Sequence, residues 1–313
     1  MVTDTGGIDD HSFNTAAWAG MQKAQTDGKA TVSYVQSVTE NQYSSNISSL
    51  VTKGCKLIVT VGGLMADATT AASKSNASQQ FAIVDSGSVA PNIKGLEFNT
   101  AQGAFLGGYL AAGLSQSGKV ATFGGLPIAP VTVYMDGFWE GVQYYNSKHN
   151  TKVQVLGWNE TTQQGSFAQS FTDQNLGKQL AQQFVSQGAD IVFPVAGGTG
   201  LGALAQAQQS NGALNAIWVD TDGYTAAPQY KSVLITSVLK GIGDAVTKTV
   251  EDTSAGNYSE TPYVGTLANG GTGLAPYHDW QSKVPAALTA ELDTVKQGII
   301  AGTITIKSKA QPK

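Results

Sequence analysis

The chain has 313 residues, 41% hydrophobic and 13% charged; that is about half the usual charged share and enough chain for two cores under a surface of Ser, Thr, Asn and Gln. The net charge is −4 and all 18 basic residues are Lys, so there is neither a basic face for nucleic acid nor an arginine fork for phosphates and carboxylates, and an uncharged ligand is favoured. The lone Cys55 can form no internal disulfide and reads as a small buried filler, while no apolar run approaches the roughly 18 residues of a membrane span.

Short β-branched runs alternate with helix-length amphipathic segments. The predicted strands cover residues 32–37, 56–61, 80–85, 95–98, 119–125, 152–158, 190–195, 216–220 and 233–239. Helices are predicted between them at about 14–27, 41–53, 66–76, 100–116, 131–148, 173–187, 199–211 and 241–254, with a last one at 284–301. Residues 1–4 read as the end of a strand whose beginning, with any export signal, lies upstream. The β-α-β-α order implies an α/β fold of parallel sheets covered by helices on both faces, and the nearly all-apolar strands fit double burial.

In such sheets ligands sit beyond the carboxyl ends of the strands. Those ends read Asp4, Ser37, Gly62-Gly63 and Asp85-Ser86, then Gly124-Gly125, Trp158-Asn159, Ala196-Gly197-Gly198, Asp220-Thr221-Asp222 and Ser237. Polar, acidic and glycine residues recur there, as expected for a polar-walled cleft between two lobes.

The densest signal is Asp4-Thr5-Gly6-Gly7-Ile8-Asp9-Asp10-His11-Ser12-Phe13-Asn14. Its glycines permit a turn close to a ligand, and Asp9, Asp10 or Ser12 can cap the helix that follows. Phe13 then stands at the helix mouth as a stacking face, or packs as an ordinary core Phe. A second run, Gly198-Thr199-Gly200-Leu201-Gly202-Ala203, precedes Asp220 by the interval of a dinucleotide fingerprint. It lies deep in the chain, where a glycine-lined strand end explains it equally well, so the oxidoreductase it suggests is the lesser alternative. The histidines His11, His149 and His278 fall in unrelated contexts, and no metal or triad spacing occurs. No cofactor is expected. Of the tryptophans 18, 139, 158, 218 and 280, only Trp158 ends a strand where a ligand could meet it.

At these residues the sequence resembles the basic membrane protein family of ABC-transporter substrate-binding lipoproteins, which includes the purine nucleoside receptors. The resemblance runs through residues 4–14, Ala17-Trp18-Ala19-Gly20, Phe81-Ala82-Ile83-Val84-Asp85, residues 102–112 and Gly137-Phe138-Trp139-Glu140-Gly141. It continues through Gly188-Ala189-Asp190, Val195-Ala196-Gly197-Gly198-Thr199-Gly200, Val219-Asp220-Thr221-Asp222 and Thr236-Ser237-Val238-Leu239-Lys240. It implies a type I periplasmic-binding-protein fold: two doubly wound parallel-sheet lobes joined by a three-strand hinge, with crossings near 98–99, 237–240 and 270. The expected lobes are 1–98 with 240–270, and 99–239 with 271–313.

The resemblance further implies a non-catalytic receptor that delivers a nucleoside to an ABC permease. Phe13 would stack on one face of the base, beside Asn14, with Asp4 and Asp85 at its edge. Phe171, expected to open a helix, or else Phe193, would close the other face. Asp220 or Asp222, Gly197 and Lys240 would hold the ribose hydroxyls. A flavin, free base or sugar is the alternative cargo. The implied protein is an extracytoplasmic monomer, attached to the membrane only through a lipidated cysteine that lies outside this sequence. The stretch 158–170 looks longer than the family's usual loop.

Overall fold

The computed structural model describes residues 1–312. Its strands are β1 Val2–Thr3, β2 Leu57–Val61, β3 Gln80–Val84, β4 Ile93–Phe98, β5 Lys119–Gly124, β6 Gln154–Leu156, β7 Trp158–Asn159, β8 Gln164–Gly165, β9 Ile191–Val195, β10 Asn215–Asp220, β11 Leu234–Lys240, β12 Tyr263–Gly265 and β13 Thr272–Leu274. Its helices are α1 Phe13–Thr26, α2 Tyr43–Thr52, α3 Ala66–Ser75, α4 Thr100–Leu114, α5 Ala129–His149, α6 Gln174–Ser186, α7 Gly200–Gln209, α8 Gly223–Ala226, α9 Ile242–Ser254 and α10 Ala286–Ile300. The chain divides into two compact units. The first is Met1–Phe98 with Gly241–Gly265 and Pro312; the second is Asn99–Lys240 with Thr266–Gln311. The returns thus fall at 241 and 265, against 240 and 270 in the sequence reading.

The first unit is built on a parallel sheet of order β1-β2-β3-β4-β12. β2 and β3 read LIVTV and QFAIV, with the last four residues of each buried. Successive side chains alternate between two covered faces. Val59, Val61, Ala82 and Val84 pack with Ala17 and Met21 of α1 and Val246 of α9. Ile58, Phe81 and Ile83 meet Tyr43, Ile47 and Leu50 of α2. Each large side chain so buried contributes about 1.5–3 kcal/mol.

The second unit has the sheet β13-β11-β10-β9-β5-β6, parallel except for β13. Val120, Phe193, Val195, Ile217 and Val219 pack on one face with Leu110 of α4, Phe138 of α5 and Leu288 and Leu292 of α10. Ala121, Phe123, Val192, Ala216 and Trp218 pack on the other with Phe184 of α6 and Leu204 of α7. Both sheets are therefore doubly wound α/β.

Two predicted strands shrink. Segment 32–37 reduces to a bridge between Val35 and Val2, with Thr3 N–H donating to Val35 C=O at 3.1 Å and Val35 N–H to Met1 C=O at 2.9 Å. It borders the sheet at its outer edge, where Tyr34 and Gln36 are exposed. The predicted strand 152–158 ends at Leu156 because Gly157 takes a φ of 79°. The chain then folds into the antiparallel hairpin β7–β8 within the long segment 158–170. Trp158 is 4% exposed, its indole N–H donating to Asp136 Oδ1 at 2.9 Å, so it is a packing residue and not a cleft-edge one. Cys55 is half-buried. Among the described residues no helix is long and apolar enough to cross a membrane.

Candidate ligand-binding site

Parallel strands bring the residues that follow them to one edge of each sheet. In the first unit Asp4 follows β1, Gly62 follows β2 and Asp85 follows β3. Asp4 Oδ1 accepts from Gly6 N–H at 3.0 Å and from Asn14 Nδ2 at 2.8 Å. The same Asn14 Nδ2 reaches Asp10 Oδ2 at 3.1 Å, while the buried Asn14 Oδ1 has no hydrogen-bond partner among the described residues. Asp10 resolves the capping question. Its carboxylate accepts backbone N–H groups from Ser12 (3.0 Å), Asn14 (2.8 Å) and Thr15 (3.0 Å), satisfying the orphan donors of α1. Phe13 is the first residue of α1 and half-buried.

Burial dominates the electrostatics of Asp4 and Asp10. Burial raises the Asp4 carboxyl to about 6; hydrogen bonds from Asn14 and Gly6 offset part of this, and the charges of Asp10 and Asp85 add to it. Burial also raises Asp10. Asp85 holds a φ of 64°, a left-handed conformation uncommon outside Gly, Asn and Asp. Space is kept for Asp4 by Gly62, where a β-carbon would lie 3.0 Å from Asp4 Oδ2 and the φ is 125°.

In the second unit Asp220 ends β10 and Lys240 ends β11. Asp220 also has a left-handed φ, 65°, and its Oδ1 accepts the Tyr134 hydroxyl at 2.6 Å. Lys240 Nζ lies 5.8 Å from the centroid of the same Tyr134 ring, within cation–π range. Tyr134 of α5 therefore ties Asp220 and Lys240 together. The sequence reading missed it, since one Tyr among apolar helix residues carries no signal of its own.

Phe171 lies in the loop before α6, which Asp173 caps through Asn175 N–H at 2.9 Å; it does not open the helix as expected. Its ring rests on Gly125 beyond β5, where any β-carbon would come within 2.3 Å of Phe171 Cε1. Its carbonyl accepts Thr199 N–H at 3.0 Å, which sets it beside Gly197, the residue with φ 52° that follows Ala196 beyond β9. Phe171, Gly125 and Gly197 thus form one group.

Two expected residues are engaged elsewhere. Phe193 is 0% exposed and stands between Phe138 (5.3 Å between centroids) and Tyr134 (6.0 Å), so it is core and offers no stacking face. Asp222 caps α8 through Tyr224 N–H at 3.1 Å and bonds His278 Nε2 at 2.8 Å, with the His278 ring stacked on Tyr224 at 4.1 Å. Between Asp220 and Asp222, the first keeps the strand-end position. The glycines of the dinucleotide-like run serve packing. A β-carbon at Gly202 would lie 1.8 Å from Gln174 C=O of α6, and one at Gly200 would meet the Trp218 ring at 3.0 Å. No group of three or more His, Cys, Asp or Glu among the described residues could hold a metal ion.

The chain is similar to proteins of known class over its whole length. A family model described as "ABC transporter substrate-binding protein PnrA-like", the Bmp family, matches residues 1–310. The chain belongs to this family. A Listeria innocua member named "CD4+ T-cell-stimulating antigen" is 32% identical over 99% of this chain and 87% of its own length. A Lactococcus lactis member named "ABC transporter nucleoside-binding protein BmpA" is 30% identical over 99% of this chain and 88% of its own. Among solved structures, a solute-binding protein of an Aeropyrum pernix ABC transporter superposes with a TM-score of 0.88 at 24% identity, covering 98% of this chain and 92% of that one, and shares the fold. The Bmp family's role is to bind a small-molecule substrate for a transporter rather than to transform it.

Proposed function

We propose that this protein is the extracytoplasmic receptor of an ABC importer and that its ligand is a nucleoside, with purines favoured. The observation that supports the reading is that each unit carries a half-buried Phe and polar groups at or just beyond its parallel strands: Phe13 with Asp4, Asn14 and Asp85 in the first, and Phe171 beside Gly197, with Asp220 and Lys240 ending neighbouring strands, in the second. A purine offers two flat faces and edge N–H donors, and ribose offers hydroxyls that carboxylates accept from. Phe13 and Phe171 take the faces, each worth roughly 0.5–1.5 kcal/mol beyond its area burial. Asp4 and Asp85 take the base edge, with Asn14 beside them, and Asp220, Gly197 and Lys240 take the sugar. Without arginine, the set suits an uncharged cargo. The nucleoside-binding name of the Lactococcus relative points the same way. In this reading the receptor acts as a monomer and reaches the membrane through a lipid anchor.

The test is calorimetric titration with inosine, guanosine, adenosine and cytidine, with riboflavin, adenine and ribose as rival cargoes, alongside native mass spectrometry of protein purified without refolding. Nucleoside binding that is lost in Phe13→Ala supports the reading. Binding of riboflavin or ribose with no response to any nucleoside overturns it.

A further inference from the structure

The second unit carries a groove of about 640 Å³ lined by none of the residues assigned above. That is within the size of small-molecule sites, roughly 300–1,000 Å³. Its floor is a stretch of α5 presenting Trp139 and Tyr144. One wall is the β7–β8 hairpin, with Glu160; the other is the irregular segment 303–309, with Lys307 and Lys309.

Two buried carboxylates a helical turn apart pin both walls to the floor. Asp136 accepts the Trp158 indole N–H (2.9 Å) and Gln163 Nε2 (3.0 Å) from the hairpin, and the Ser308 hydroxyl (2.6 Å) from the far wall. Glu140 accepts the backbone N–H groups of Lys307 at 2.9 Å and Ser308 at 3.0 Å. The groove is therefore held open by its own framework.

Charge across it is separated. Glu160 is half-buried, and burial with the nearby Asp136 raises its carboxyl, while Lys307 and Lys309 act against that rise. Yet no cation closes an ion pair on Glu160 among the described residues; the lysines stay on the opposite wall with exposed side chains. Both are exposed, on either side of the buried Ser308. An anion alone would meet Glu160 and a cation alone would meet two lysines. A ligand carrying both charges satisfies each wall.

We propose that this groove is a second binding site, for a zwitterionic α-amino acid with an aromatic or large apolar side chain. The ammonium bonds Glu160, the carboxylate bridges Lys307 and Lys309, and the side chain lies on Trp139.

Calorimetry and saturation-transfer NMR with L-phenylalanine on the full chain test this. Saturable binding is expected at up to millimolar concentration. It should weaken roughly tenfold or more when the ligand is N-acetyl-phenylalanine or phenylalaninamide, and equally in Glu160→Gln or in the double variant Lys307→Ala, Lys309→Ala. Both changes lie at partly or fully solvated positions, and the inosine response of each variant serves as the folding control. Absence of saturable binding overturns the proposal. So does binding that survives both variants, or that inosine displaces competitively.

Discussion

Asp4→Asn should stabilise the protein at neutral pH and impair its binding. Asp4 is buried but still 7% exposed, and burial raises its carboxyl from 3.8 to about 6. A raised carboxyl means the folded state holds its proton more tightly than the unfolded chain. Between pH 3.8 and about 6 the native state carries the extra proton, so stability falls as pH rises through that window and stays low above it. The shift corresponds to about 3 kcal/mol of native-state penalty once Asp4 is ionised. Asparagine keeps an oxygen to accept from Gly6 N–H and Asn14 Nδ2 and removes the charge. Urea unfolding of wild type and Asp4→Asn, compared from about pH 4 to about pH 7.5, should therefore diverge. The variant gains up to about 3 kcal/mol at the upper end and nothing at the lower, because wild-type Asp4 is itself neutral there. Asp10, raised in the same direction by burial, is relieved of the neighbouring Asp4 charge in the variant, which adds to the gain at neutral pH. A pH-independent difference, or a variant less stable at neutral pH, would refute this account of Asp4.

Further outcomes follow from neighbouring residues. If the ligand donates to ionised Asp4, nucleoside affinity should weaken as pH falls below about 6, by at most roughly tenfold per unit, and titrations across that range will read it. Tyr134→Phe removes the 2.6 Å hydrogen bond to Asp220; it should cost about 1.5–3 kcal/mol in denaturant unfolding and weaken nucleoside binding without altering the far-ultraviolet circular dichroism. Phe193→Ala opens a core cavity and should cost about 3–5 kcal/mol, whereas the half-buried Phe171→Ala should cost much less stability and most of the affinity; equal losses of stability would contradict the assignment. Asp222→Ala removes a helix cap and a bond to His278, for about 1 kcal/mol, with ligand affinity kept within about twofold.

What could be read from the sequence divides along physical lines. Doubly buried strands such as LIVTV and QFAIV carry their own signature, since both faces demand apolar side chains, and the winding of both sheets follows from them. Segment 32–37 looked similar, but the strand beside it, β1, is two residues long and the segment lies on the outer edge, so one bridge forms. The hairpin β7–β8 is held largely by Asp136, a contact 22 residues from Trp158 in sequence and invisible to local pattern. The strand-end rule located Asp4, Asp85, Asp220 and Lys240 because parallel topology alone fixes where those residues go. It gave no sign that His278, 56 residues from Asp222, bonds that carboxylate, or that Tyr134 bonds Asp220. Phe171 and Phe193 are distinguished by exposure, which no single-sequence feature reports.

The strand-end aspartates share a property that links the fold to its use. Asp85 and Asp220 both hold left-handed backbone angles, of 64° and 65°, and strain of that kind persists only where surrounding structure enforces it. Asp4 and Asp10 accept from backbone and side-chain amides, and among the described residues no cation is in hydrogen-bond contact with either. Burial still holds both carboxyls above their ordinary range, because an ionised carboxylate is costly to bury even when hydrogen-bonded. Beside them the buried Asn14 Oδ1 has no donor among the described residues. On the proposed reading, N–H or O–H groups of a neutral ligand would donate there, and part of the stability lost by burying Asp4 would return as affinity.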